Sequence, residues 1–283
     1  MILIADCGST KIDWCVLSDE KKVAKQVFTL GMNAVMLTEE EMQGRIAAEL
    51  MPELGELSSS IEAVYFYGAG CLAPEVCANV ANALRSNLPS AATVEVYSDL
   101  LAAARALCGR TGGIACILGT GANSCYYDGE SIVKNVSPLG FILGDEGSGA
   151  VLGKLFLGDV LKNQLPASVA EEFLTEYNLT LLDVIRRVYK EPQPNRFLAS
   201  VTPFISSHLD VPEIRSMVLD AFRAFFRRNV RQYESYDDKT AHFAGSIAYY
   251  FREVLEEAAA AEGFSVGLIL KSPMEGLVKF HTA

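Results

Sequence analysis

Two stretches of this chain, about 111 residues apart, carry the same order of apolar and polar positions. Each has an apolar run, a turn of small residues, an alternating run, a polar turn and a third short run. Alternation with a period of two predicts β-strands, so each stretch predicts a three-stranded meander. The first copy begins at Ile2 and the second at Ile114. A repeat at this distance is too long for a solenoid and indicates two related domains.

The segments after these meanders alternate between helical and strand-like patterns. Thr38 with Glu41 is typical of a capping box at a helix start, and Met42, Ile46, Leu50 and Leu54 then share one face. This alternation predicts an α/β fold with mixed or parallel sheets covered by helices. The further predicted elements are a strand within 61–70, a helix over 74–88, a strand over 93–97, a helix over 99–108, a long helix within 211–233, strands within 240–246 and 264–270, a helix over 247–262 and a short helical end.

The length of 283 residues accommodates two domains of ordinary size, each able to bury a core. We expect an N-terminal domain over 1–108 and a C-terminal domain over 109–283 with helical insertions. The last helix is expected to pack back on the first domain.

Composition and charge exclude several classes of function. The chain has 24 basic and 35 acidic residues and a net charge of −11, and so negative a surface repels nucleic acid. No apolar run is long enough to span a bilayer and the N-terminus lacks a secretory pattern, so we expect a cytoplasmic protein without a membrane partner. The seven cysteines contain no CxxC pair and are expected to be reduced thiols packed as small apolar side chains.

The two glycine turns are candidate phosphate-binding sites, because successive backbone N–H groups in such turns form concave anion sites. Unlike a Walker loop, the first turn leads into a strand and not into a helix. Asp6, at the end of the first strand, is suited to hold a hydrated Mg²⁺, which needs only one or two carboxylates. The turn residues expected to bind a triphosphate are Gly8, Ser9, Thr10 and Lys11 in the first copy and Gly119, Thr120 and Gly121 in the second.

Two acidic segments are candidates for catalysis or substrate binding. Asp99 lies where a strand passes into an alanine-rich helix, where Ser98 could cap the helix and Asp99 complement its dipole. Alternatively, Asp99 is a general base at the carboxyl edge of a sheet, where ligands bind in open α/β folds. The segment GDEGSG at 144–149 surrounds two acids with glycines, which is costly for stability unless the backbone approaches a ligand closely.

Four motifs taken together resemble a known family. They are IADCGSTK, SDLLAAA, LGTGANS and LGFILGDEGSG, in this order along the chain. They look like the N-acetylglucosamine kinase branch of the BadF/BadG/BcrA/BcrD ATPase family, within the actin, sugar kinase and heat-shock chaperone superfamily. The resemblance implies an α/β protein of two ribonuclease-H-like (actin-like ATPase) domains with mixed sheets flanked by helices. It also implies a deep interdomain cleft that binds ATP, Mg²⁺ and a sugar.

The same resemblance implies an activity and its residues. The expected reaction is ATP-dependent phosphorylation of an amino sugar, N-acetylglucosamine to its 6-phosphate, with Asp99 as general base. Gly245 and Ser246, within HFAGSIAYY, would lie beside the nucleotide. A homodimer is one possible assembly. The positions expected to bind the sugar are Asn33, Gly68, Asn123, Gly140 and Asp145.

Alternatives to this interpretation stay open. Leu139 stands where the vertebrate-type kinases have tryptophan, so glucosamine and a muramic derivative are alternative substrates. An ATPase that activates a dehydratase through a bridging [4Fe–4S] cluster shares the phosphate turns, but no glycine-flanked cysteine loop here suits a cluster. A non-catalytic sugar sensor would have no chemical need for Asp6, Asp99 and Asp145. The lack of a CxCGxxGC zinc motif argues against the repressor-type sugar kinases.

Overall fold

The chain forms two compact units in the computed structural model, which describes residues 1–8, 11–236 and 239–283. Unit 1 comprises Met1–Arg110 together with Pro273–Ala283, and unit 2 comprises Thr111–Ser272. The assignment of functional domains to 1–108 and 109–283 stays a prediction.

Unit 1 contains a five-stranded sheet of β1 (Ile2–Cys7), β2 (Lys11–Leu17), β3 (Val23–Leu30), β4 (Ala63–Gly68) and β5 (Thr93–Ser98). The strands lie in the order β3-β2-β1-β4-β5. The pairs β1–β2 and β2–β3 are antiparallel, whereas β1–β4 and β4–β5 are parallel. Ile12, Trp14 and Val16 point into one apolar core, so the predicted strand is confirmed, and the residues of the other face of β2 are buried as well.

The helices of unit 1 begin where the sequence predicts them. Thr38 accepts a hydrogen bond from the Glu41 N–H, and the Glu41 side chain accepts one from the Thr38 N–H, which confirms the capping box. The four apolar residues predicted on the following face are all buried. The helical elements are α1 (Glu39–Arg45), a π-helical turn (Ile46–Leu50), α2 (Met51–Leu54), a 3-10 turn (Gly55–Ser60), α3 (Pro74–Asn87) and α4 (Asp99–Cys108).

Unit 2 contains a second five-stranded sheet of β6 (Gly113–Leu118), β7 (Ala122–Tyr127), β8 (Ile132–Asn135), β9 (Thr240–Ala244) and β10 (Ser265–Leu270). Its order is β10-β9-β6-β7-β8. The pairs β6–β7 and β7–β8 are antiparallel, and β6–β9 and β9–β10 are parallel. An antiparallel meander followed by two parallel strands is thus built twice, which confirms the predicted ribonuclease-H-like topology of mixed sheets.

Unit 2 is the more helical of the two. The prediction of one continuous helix over 247–262 is wrong, because the helix is interrupted at Phe251. The Phe251 ring is buried and packs edge-on against Phe222. The helical elements are α5 (Gly140–Leu143), α6 (Gly149–Leu161), α7 (Ala167–Glu176), α8 (Leu181–Tyr189), α9 (Pro194–Ala199), α10 (Thr202–Ser207), α11 (Pro212–Arg228), a 3-10 turn (Val230–Tyr236), α12 (Ser246–Tyr250) and α13 (Arg252–Ala261).

The cysteines pack as the sequence predicts. Six of the seven are buried, and Cys77 is partly buried. Burial raises the pKa of the Cys7 thiol to about 12, so this thiol stays protonated at neutral pH. Among the described helices, none is long and apolar enough to cross a membrane.

The chain returns to unit 1 in α14 (Met274–Thr282), which packs against α4 and β1. The phenol oxygen of Tyr67 lies 2.9 Å from Nε2 of His281 and accepts a hydrogen bond of 2.8 Å from Nη1 of Arg105. The Arg105 guanidinium also lies over the rings of Tyr97, at 4.4 Å, and Phe280, at 5.0 Å. This aromatic and cationic cluster fastens α14 to unit 1.

Lowering the pH is expected to weaken the attachment of α14. Burial, with Arg105 and Arg110 nearby, lowers the pKa of His281 to about 4 from its ordinary 6.5. A depressed histidine pKa means that neutral His281 stabilises the fold fully above pH 6.5, and that this stability is lost as the pH falls toward 4. Allowing for partial exposure, the loss is roughly 2 kcal/mol.

Urea unfolding of the wild-type protein and of His281→Gln at pH 7 and near pH 4.5 measures this loss. The wild-type protein should lose about 2 kcal/mol more than the variant, because glutamine does not titrate. An equal loss in both proteins would show that His281 does not carry the pH dependence.

Candidate active site

The candidate residues of unit 1 meet at one edge of its sheet. Cys7 at the end of β1 pairs with Gly68 at the end of β4, which pairs with Ser98 at the end of β5. The carboxyl ends of the three parallel strands therefore bring Gly8 and Asp99 to the same edge, where ligands bind in open α/β sheets.

Asp99 begins α4 directly after β5 and has both of the features predicted for a helix start. Ser98 caps the helix by accepting the Leu101 N–H at 3.2 Å, and Oδ1 of Asp99 accepts the Leu100 N–H at 2.9 Å. The residue as a whole is partly exposed, but its carboxyl group is buried, and this burial raises the pKa of Asp99 above its ordinary value. Capping by Ser98 leaves Asp99 as a carboxylate of increased basicity at the strand edge.

Asp6 lies one residue before the end of β1, and Asp13 on β2 is its direct cross-strand partner. Asp13 is 4% exposed, accepts a hydrogen bond from Nε2 of Gln26 at 2.8 Å, and has a pKa raised by burial. Two carboxylates on one face supply the hard oxygen ligands that Mg²⁺ prefers, and this ion keeps most of its waters. The described residues contain no cluster of three or more metal-ligating side chains.

The first glycine turn is tight. The Gly8 N–H donates to the carbonyl oxygen of Lys11 at 3.0 Å, which closes the β1–β2 hairpin. The Lys11 ammonium is exposed and lies 4.7 Å from the centre of the Phe28 ring. The predicted phosphate contacts of Ser9 and Thr10 lie outside the described residues.

Two further predicted sugar positions of unit 1 lie beside the ends of β3 and β4. Gly68 is buried, and a Cβ there would meet the Phe66 ring at 2.7 Å and Sγ of Cys71 at 3.0 Å. Asn33 is exposed, and its Oδ1 accepts the Val35 N–H at 3.1 Å. Gly68 therefore has a packing reason to be glycine, whereas Asn33 is an exposed residue whose amide oxygen is already engaged by the Val35 N–H.

The second glycine turn joins β6 to β7 in unit 2. The Gly119 N–H donates to the Gly121 carbonyl oxygen at 2.9 Å. The first two amides of α6, from Gly149 and Ala150, donate to the carbonyl oxygens of Gly119 and Thr120 at 2.8 and 3.0 Å. The start of α6 is thus fixed to the turn itself.

Asp145 lies over this turn. Its carboxylate accepts the Ala122 N–H, and a Cβ on Gly121 would be 3.1 Å from its Oδ2. Burial raises the pKa of Asp145, and Glu146 beside it acts in the same direction. Asp145 and Leu139 both have left-handed backbone, with φ of 54° and 63°. Strained backbone of this kind in non-glycine residues clusters at functional sites.

The segment after β9, which contains Gly245 and Ser246, also lies against the second glycine turn. Gly245 has φ of 122° and approaches the Leu118 carbonyl group so closely that a Cβ would collide with it. Its own N–H donates to the Leu270 carbonyl oxygen at 2.9 Å. Within unit 2, the structure therefore brings together the predicted phosphate turn, Asp145 and the start of α12 with Ser246.

Asn123 and Gly140 differ in their surroundings. Oδ1 of Asn123 accepts the Ser124 N–H and Nδ2 of Asn135, both at 2.9 Å, so this oxygen is already engaged inside unit 2. Gly140 is exposed, has φ of 72° and begins α5. A role in sugar binding stays a prediction for both residues.

Sequence reasoning missed Asp13. In the sequence, Asp13 is only one of several alternating positions in β2. The pairing of β2 with β1 in the hairpin is what shows that Asp13 lies beside Asp6. A turn closed between Gly8 and Lys11 pairs residues whose numbers sum to 19, which sets Asp13 opposite Asp6. This register could have been calculated from the sequence and would have placed Asp13 beside Asp6.

Two mixed sheets of the same order, each with a glycine turn after its first strand, define the class of two-domain, actin-like ATPases. Comparison with protein families identifies one family within this class. The chain belongs to the BadF/BadG/BcrA/BcrD ATPase family, whose model matches residues 5–172. No curated protein sequence is similar enough to this chain to count as a match.

Solved structures extend the similarity over the full length. A candidate N-acetylglucosamine kinase from Porphyromonas gingivalis is 51% identical, with a TM-score of 0.96 over 99% of this chain and 98% of that chain. A second candidate N-acetylglucosamine kinase, from Chromobacterium violaceum, is 16% identical with a TM-score of 0.69 over 99% and 98%. A glucokinase of the ROK family from Streptomyces griseus, in complex with glucose and AMPPNP, is 15% identical with a TM-score of 0.56 over 99% and 97%. The last two similarities show the fold alone.

Proposed function

We propose that this protein is an ATP-dependent sugar kinase that phosphorylates an amino sugar, with N-acetylglucosamine converted to its 6-phosphate as the specific hypothesis. The observation that carries the proposal is the full-length, 51% identical relationship to the candidate kinase from Porphyromonas gingivalis. The glycine turns of both units, with Asp6 and Asp99 at the sheet edge of unit 1 and Asp145 over the turn of unit 2, supply the chemistry that such a reaction needs.

Phosphoryl transfer depends mainly on in-line positioning and on neutralising charge around the γ-phosphoryl group. In the proposal, the turns at Gly8–Lys11 and Gly119–Gly121 hold the phosphates through amides other than the Gly8 and Gly119 N–H groups, which close the turns. The Lys11 ammonium adds positive charge. Gly245 and Ser246 contact the adenosine. Asp6 would hold Mg²⁺, which when bound neutralises charge on the phosphate oxygens.

Asp99 is proposed as the general base. Its carboxylate accepts the proton of the sugar hydroxyl while the hydroxyl oxygen bonds to the γ-phosphorus and the bond from that phosphorus to ADP breaks. Burial, which raises the pKa of Asp99, makes its carboxylate a better proton acceptor. The sugar would be oriented by Asn33, Gly68, Asn123, Gly140 and Asp145.

Glucosamine and a muramic derivative are the alternative substrates, because Leu139 replaces the tryptophan of vertebrate-type kinases. The dehydratase-activating ATPase gains no support from the described residues. Cys116 and Cys125, both 0% exposed, pack inside the β6–β7 hairpin, where a bridging cluster has no access to them.

A coupled ATP-consumption assay across hexoses, amino sugars and their N-acetyl and lactyl derivatives tests the proposal. We expect sugar-dependent ADP release with an amino sugar, and ³¹P and ¹H spectra of the product then identify the phosphorylated hydroxyl. ATP hydrolysis that no sugar stimulates would contradict the kinase assignment. Stimulation by neutral hexoses alone would contradict only the substrate.

A further inference from the structure

A groove of about 730 Å³ runs between α6 and α11 on unit 2. Its floor is apolar and its rim is acidic. Among the residues that the structure describes, three of the four rim carboxylates take part in no ion pair, and only Glu146 is paired, with Arg228 at 2.8 Å. The floor includes Val151, Leu155, Met217, Ala221 and Ala224, and the rim carboxylates are Glu146, Asp159, Glu213 and Asp220.

Unit 2 also contains a helix, α8, that exposes large apolar side chains and has basic residues beside them. In α8, Leu182 is 78% exposed, Ile185 44% and Tyr189 73%, while Val184 on the inner side is buried. The three exposed residues have the i, i+3, i+7 spacing that places anchors on one helix face. Arg186, Arg187 and Lys190 lie beside them in the sequence.

The dimensions of the two surfaces correspond. From Leu182 to Tyr189 the helix rises about 10.5 Å, and from Val151 to Asp159 the groove wall rises about 12 Å, at 1.5 Å per residue. Three anchors on one face of a helix match a hydrophobic groove of this length, which is a recurrent mode of helix recognition. Arg186 is already paired with Asp183 and Glu191, so Arg187 on α8 and Lys190 directly after it are the positive charges that suit the acidic rim. Opposite charges of this kind select the partner and its register.

We propose that a second copy of this chain occupies the groove, with α8 of one copy docked between α6 and α11 of the other. Because the helix and the groove are both on this chain, a second copy of it can supply the helix that the groove binds. A helix that exposes three large apolar side chains on one face is the kind of surface that protein contacts cover. This proposal does not rest on the proposed kinase activity.

Sedimentation velocity over a wide range of protein concentration tests the proposal. Leu182→Asp removes the first anchor, and an acidic residue in the first turn of a helix is favourable, so α8 should still form. Ala224→Arg fills the groove from the other side. Each variant is expected to weaken self-association at least tenfold.

A control variant and a mixing experiment make the test specific. Val23→Asp changes an apolar residue of similar exposure, 55%, on β3 of unit 1 and should leave self-association unchanged. Mixing Leu182→Asp with Ala224→Arg should restore association between unlike copies, because one intact helix and one intact groove remain. Circular dichroism and thermal unfolding establish that every variant is folded.

Several results would overturn the proposal. A wild-type protein that stays monomeric at all concentrations would mean that the groove has another occupant. Self-association that is unaffected by the α8 and groove variants, or weakened equally by Val23→Asp, would place the contact elsewhere. A mixture that fails to associate would show that the two surfaces are not partners.

Discussion

Replacing Asp99 by Asn is expected to lower kcat for sugar phosphorylation by about 10²–10⁴, the usual contribution of a general base. Asparagine has the same shape and can still accept the Leu100 N–H through its amide oxygen, so α4 should begin as before. The variant loses the group that takes the proton from the attacking hydroxyl. Initial-rate assays with saturating ATP and sugar measure the effect, and binding of a fluorescent ATP analogue should be unchanged.

Glu95→Gln is the matched control, because Glu95 is an exposed carboxylate on β5, the strand that leads into Asp99, and it accepts a hydrogen bond from the Tyr97 hydroxyl. It should retain wild-type kcat. In the wild-type enzyme, the acidic limb of the rate–pH profile should lie above the ordinary range of an aspartate, since burial raises the pKa of Asp99. An Asp99→Asn enzyme with undiminished kcat would exclude Asp99 from proton transfer.

Replacing Gly153 by Ala is expected to destabilise unit 2 by about 3 kcal/mol, at the upper end for an overpacked core. Gly153 is buried in α6, where α9 packs so closely that a Cβ would collide with the Leu198 carbonyl group and lie 3.1 Å from Cγ2 of Val201. A backbone carbonyl cannot swing aside as a flexible side chain can. The two helices must therefore separate, and urea unfolding followed by circular dichroism measures the cost.

Gly158→Ala is the control on the same helix. No atom lies within 4 Å of a Cβ placed there, so alanine should stabilise α6 by up to about 1 kcal/mol through helix propensity alone. The two alanine variants should thus shift stability in opposite directions. Equal effects from both would mean that close contact with α9 does not limit the size of residue 153.

Much of the fold was predictable because its causes are local. The alternation in β2, the capping box at Thr38 and the buried face of the first helices all follow from short-range patterns, and the repeat fixes the duplication. The order of strands within each sheet is not local, and resemblance to a known family supplied it. The interruption at Phe251 was not predictable, because the pattern of apolar and polar residues across 247–262 is helical throughout.

The sequence predicted which segments form the candidate site, but it did not predict which residues of those segments contact one another. Glycine turns marked Gly8 and Gly119 in the sequence, the junction of a strand and a helix marked Asp99, and the glycine-rich segment at 144–149 marked Asp145. The position of Asp145 over Gly121 depends on a chain reversal through left-handed residues that no local pattern reveals. The α5 helix arises in the same reversal and was likewise missed. The close approach of Asp145 to Gly121 depends on the path of the chain, which residue types alone do not reveal.

The placement of α14 has a consequence for synthesis on the ribosome. Residues 273–283 belong to unit 1 but follow the whole of unit 2 in the chain. Translation runs from the N-terminus, so the strand that carries Tyr65 and Tyr67 is synthesised long before His281, which contacts both rings. The unit whose synthesis begins first therefore becomes complete only when the last helix has been made.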